Sequence, residues 1–192
     1  MILLSCLGTT AAQAHLKYYP DPVYQKLNDD DSSPMTDMID LAAQGDVRAQ
    51  FIMGDLYSKG KGGVAKDLTA ARHWFEESGI HGYGHSFIRL AALAKHDNRP
   101  KEAWQWYSLA IKTFDYGDER KYAIQARHDL VENATLSEED IREARKSMSA
   151  WEDMRDQHLY DEKKAVLEQK NKLTSIAGEN KNEQDKSQDA SR

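Results

Sequence analysis

Ala71 and Trp74 recur 32 residues later as Ala103 and Trp106, and Gly45 recurs 37 residues later as Gly82. The five-residue difference falls in one connector, SKGKGGVAKD in the first copy and KHDNR, just before Pro100, in the second. A small residue and a tryptophan at fixed spacing, twice over, limit the fold strongly. The alanines let paired helices approach closely, and the indole fills the gap between pairs. A unit of this kind buries its apolar face by stacking on its neighbour.

Apolar residues elsewhere keep helical spacing, with no alternating strand pattern. MTDMIDLAAQG closes on Gly45, and DVRAQFIMGDLYSKG closes on Gly60. DLTAARHWFEESG opens on Asp67, a good N-cap, and ends at Gly79. YGHSFIRLAALAK and KEAWQWYSLAIKTF follow, the second with Pro100 suited to a first helical turn. DERKYAIQARHDLVENA comes next, then SEEDIREARKSMSAWEDM, where Ser137 is an N-cap with Asp140 at N3. The pattern predicts an all-α fold, a short α-solenoid of antiparallel helix pairs. A degenerate C-terminal pair and a long C-terminal helix or tail complete it.

The ends differ from this body. MILLSCLGTTAAQA reads as a signal peptide over 1–14, with Ala12-Gln13-Ala14 as the cleavage pattern. Its basic start is missing, as it would be if the true start codon lay upstream. LLSC around Cys6 also resembles a lipobox, which offers a lipid anchor instead. An extended lead-in over 15–34, a helical domain over 35–160 and a polar tail, helical to disordered, over 161–192 follow. The net charge of −6 argues against broad nucleic-acid binding. No run of 18 apolar residues predicts a transmembrane helix.

Residues 45–79 resemble a Sel1-like repeat, a family related to tetratricopeptide repeats. Gly45, Ala49, Gln50, Gly54, Tyr57, Gly60, Val64, Asp67, Ala71 and Trp74 fill the family's pattern. Gly62-Gly63 lengthens its turn by one residue. The likeness weakens over 82–114, and 117–155 reads as a degenerate third pair or a cap. The resemblance implies a non-enzymatic, exported adaptor or scaffold in the bacterial periplasm, with another protein as partner. A narrower implication is an immunity protein or inhibitor that neutralises a secreted toxin such as a lipase.

Other stretches carry residue types that could support chemistry. SKGKGGVAKD has the glycines and lysines of a phosphate cradle but lacks the strand, the Lys-Ser/Thr pair and an anion-friendly N-terminus, since Asp67 follows. It reads as a turn. His81 and His85 flank Gly82-Tyr83-Gly84, with no third metal ligand set by spacing. Glu76-Glu77 sits on a charged helix face, and Glu138-Glu139-Asp140 at a helix start. No catalytic residue, metal or cofactor is predicted. An enzyme built on His81, His85 and nearby carboxylates is the minor alternative.

Partner contacts are predicted at positions left over once the repeat core is assigned. These are Arg48, Phe51 and Asp55 on one helix and Tyr83, Phe87 and Arg89 in comparable places on the next pair. Each of these could equally be local packing. Trp104 either packs on the third pair or, if exposed, marks a contact surface. Leu159, Val166 and Leu173, seven apart, make a stripe too thin for a coiled coil.

Overall fold

Every helix predicted from periodicity is present in the computed structural model, which describes residues 35–133 and 136–189, with side chains through 172. The signal-peptide, lipobox and lead-in readings of 1–34 lie outside the described residues. The helices are α1 (Met35–Ala43), α2 (Val47–Lys59), α3 (Leu68–Ile80), α4 (Gly84–His96), α5 (Pro100–Thr113), α6 (Asp118–Asn133) and α7 (Glu138–Asp189). No strand occurs among the described residues. Through α6, each helix packs on the one before it. The short connectors force consecutive helices to run antiparallel, so α2–α3 and α4–α5 are the two clear repeat pairs. The fold is an all-α helix-pair solenoid.

Local chemistry explains the boundaries. The Asp67 carboxylate accepts from the amides of Thr69 at 2.8 Å and Ala70 at 3.0 Å, which starts α3. Asp46 does the same for α2 through the Ala49 amide at 2.7 Å. Ser137 and Asp140 form a reciprocal capping box. The Asp140 amide donates to Ser137 Oγ at 3.1 Å, and the Ser137 amide donates to Asp140 Oδ2 at 2.9 Å. Replacing Asp67 with Ala should lower stability by about 1 kcal/mol, read as a shift in the urea midpoint with an unchanged slope. A midpoint that does not move would show that the α3 start is held by packing alone.

The glycine connector is a turn. Gly60 ends α2 at φ 70°, and its amide donates to the Leu56 carbonyl at 2.8 Å. Gly62 and Gly63 also have positive φ, a region other residues rarely enter. The Asp67 amide then returns to the Tyr57 carbonyl at 2.9 Å and closes the loop.

Small residues set the helix spacing. Ala71 and Ala103, the matched alanines, are both fully buried. Gly54 lies so close to the Phe75 ring that a Cβ there would come within 2.6 Å of it. Trp74 packs half-buried against a cluster of Met38, Ala42, Ala49, Ile52, Met53 and Leu56. In the second copy Trp106 is buried and stacks on Phe87, with centroids 6.1 Å apart and an 11° angle. Burial of side chains such as Phe75, Leu56 and Leu90 supplies roughly 2 kcal/mol each.

The chain divides into a compact unit closing at Met148 and a second unit, Ser149–Arg192. In the second unit α7 simply continues to Asp189. The segment 161–189 is therefore helical. Its Glu, Gln, Lys and Leu residues are good helix formers, it has no proline, and Gly178 is its one glycine. Val166, in the seven-residue stripe, is exposed, as are Tyr160 and Leu167. The Leu173 side chain lies outside the described set. No described helix is long and apolar enough to cross a membrane.

Candidate functional site

Six of the seven predicted contact residues lie on or beside α2 and α4, but half of those six are interior. Asp55 is fully buried, Phe51 is 2% exposed and Phe87 is 1% exposed. For these three, burial fits the local-packing alternative and not the surface-contact one. The physical reason is that a middle helix is covered by the helices before and after it, α1 and α3 for α2, and α3 and α5 for α4. Trp104, 6% exposed, is likewise packed rather than open. Arg48 remains exposed, and Tyr83 and Arg89 are half-buried.

The buried residues form the floor of this surface. Asp55 Oδ1 accepts from Arg89 Nη2 at 2.5 Å, and Asp55 Oδ2 meets Lys59 Nζ at 2.5 Å. The pair bridges α2 and α4 across 34 residues of sequence. Arg89 Nε is buried with no hydrogen-bond partner, so the carboxylate is its main compensation. Beside it, the Phe51 ring packs edge-on against Tyr83 at 5.1 Å. His85 lies 5.2 Å from both the Tyr83 and Phe114 rings, and its Nε2 is 3.9 Å from Glu119. His85 thus joins an aromatic cluster. His81 sits instead at the C-terminal end of α3. Among the described residues, no group of three His, Cys, Asp or Glu is arranged to hold a metal ion.

Two polar clusters went unseen in the sequence. In the first, Arg72 on α3 donates to Glu102 at 2.7 Å and to Asp97 at 3.1 Å, clipping one pair to the next. Arg99 also bonds both carboxylates, and Trp106 Nε1 donates to Glu102 at 3.1 Å. Hydrogen bonding from His96, then from Arg99, holds the Asp97 carboxyl below its usual range. Glu76 shows the opposite effect: burial pushes its carboxyl up, only partly opposed by Arg72. The signal for the clip was the opposite charges at Arg72 and Glu102, 30 residues apart, close to the repeat length. The second cluster brings Arg127 and Arg145 to the Trp104 ring.

A cleft of about 400 Å³ lies between α5 and the start of α7, lined by Lys101, Gln105, Trp106, Glu143 and Ser147. Lys101 is held there by Glu143 at 2.7 Å and Asp140 at 3.5 Å, and Glu143 chiefly raises its ammonium above the usual value. Its charge is neutralised within the cleft.

No family model, curated protein or solved structure matches the chain. The site must be read from its own chemistry.

Proposed function

We propose that the chain is a non-catalytic protein-binding module of Sel1-like type, exported to the bacterial periplasm, whose recognition surface is the face of α2 and α4. One observation carries the reading. On that face a cross-repeat ion pair, Asp55–Arg89, and a cross-repeat aromatic contact, Phe51–Tyr83, fix a floor under the half-buried Tyr83, His85 and Arg89. Exposed Arg48 stands on the same helix as Phe51 and Asp55. Aromatic and arginine side chains held rigid by buried neighbours lose little entropy on binding, which suits them to anchor a partner. Stacked helix pairs offer an extended surface for binding.

The matched repeat positions support the family reading. Gly60 in the left-handed turn, Asp67 as cap and Ala71 and Ala103 at the helix contacts each have a structural task. Export rests on the signal-like residues 1–14 alone. The test is recovery of the tagged chain from its native cells after in-cell crosslinking, with mass spectrometry of the complex and of each cell fraction. A stoichiometric periplasmic partner, lost in an Arg48→Glu, Tyr83→Ala variant that still melts normally, is the expected result. A partner retained by that variant would remove this face from the account.

A further inference from the structure

Arg127 of α6 and Arg145 of α7 converge on one ring, that of Trp104 on α5. Their guanidinium carbons lie 5.3 and 5.8 Å from its centroid. Either contact alone is an attractive cation–π pair. Two cations on one indole also repel each other. Burial, and then the neighbouring Arg145, push the Arg127 guanidinium below its ordinary value.

Carboxylate compensation is what the pair lacks. Arg72, Arg89, Arg99, Arg142 and Arg155 each hold a carboxylate. Arg120 donates to the carbonyls of Ile111 and Phe114. Among the described residues, Arg127 and Arg145 have no carboxylate at ion-pair distance. Arg127 reaches only the Ser108 hydroxyl, at 3.4 Å. The cause is in the sequence. One turn either side of Arg127 stand Ala123, Ile124, Leu130 and Val131, and around Arg145 stand Ile141, Arg142, Met148 and Ser149. Neither arginine can find an acid along its own helix.

We propose that Arg127 and Arg145, with Trp104 between them and the core, form a site for the carboxylates of an acidic segment on a partner protein. A guanidinium presents paired N–H donors that match a carboxylate fork, and such charge-assisted bonds are the strong ones. Two heads around one indole can each take a carboxylate, which suits a segment with several acids better than a single small ion. Trp104 holds both heads in place and is itself only 6% exposed. The chain's net charge of −6 opposes an acidic ligand at long range, so recognition is local and weakens with salt. The site is built on α5, α6 and α7, not on α2 and α4. Its failure would leave the reading of the other face standing.

The test is calorimetric titration of the purified full chain with capped hexaglutamate, with capped hexaglutamine as the uncharged control. Saturable binding of hexaglutamate alone is expected. Arg145 is exposed, so Arg145→Gln should melt normally and bind roughly tenfold more weakly, the effect of losing one charge-assisted pair. Arg142→Gln, one turn away and already paired with Glu139, should bind as the unaltered chain does. Three results would overturn the proposal. One is no heat at millimolar peptide. Another is an equal loss in Arg142→Gln, which would indicate diffuse electrostatics. The third is displacement of the peptide by an equal concentration of inorganic phosphate, which would indicate a small-anion site.

Discussion

Replacing Asp55 with Ala is expected to destabilise the protein by about 3 kcal/mol, because it strips a partner from a charge that is largely out of water. Asp55 is fully buried, and the Arg89 side chain that meets it is only 18% exposed. Water can re-enter around Lys59, which is 37% exposed, but not around Arg89 Nε, which already lacks a partner. The loss should be smaller when both members go together. An Asp55→Leu, Arg89→Met double variant replaces a desolvated pair with packing and is expected to cost less than Asp55→Ala alone. Urea denaturation of both variants measures the two losses. A single-variant loss within a few tenths of a kcal/mol would mean that the ion pair is not coupled to folding.

The second large effect is expected at Phe87. Its ring stacks on Trp106 and lies so near Gly79 of α3 that a Cβ there would come within 2.9 Å. One side chain therefore touches the last turn of one pair and the tryptophan of the next. Phe87→Ala should cost about 4 kcal/mol, from lost burial and a cavity that rigid helices cannot close. Because stacked pairs stabilise mainly through their shared interface, the loss should also separate their unfolding. Hydrogen exchange would show α2 and α3 opening at a different free energy from α4 and α5. A small loss with unchanged exchange would mean that Phe87 does not couple the two pairs.

The helices, their caps and the glycine turn were legible because each is decided locally. Asp67 and Ser137 announce their helices by the residues beside them, and Gly60 stands where the chain must turn left-handed. The repeat was legible because the chain has only 4 tryptophans, two of which follow a matched alanine at the same spacing. Burial on α2 and α4 was not. A helix that packs on two sides has two apolar stripes, and assigning one stripe left Phe51 and Phe87 seemingly outside. Asp55 was harder still, since its burial depends on an arginine 34 residues away. The Arg127–Arg145 pair left only a faint trace, the missing acids one turn to either side. At the tail the helical alternative was legible, since polar residues that cannot build a core still suit a helix.

Site-specific photo-crosslinking in the native cells tests most directly whether the α2–α4 face holds a protein partner, as proposed. A photoreactive residue would be placed at Arg48 on that face and, separately, at exposed His73 on α3 as a control. One discrete adduct, of a single partner, is expected from position 48 and none from position 73. Adducts from position 73 alone, or from both positions equally, would contradict the proposal.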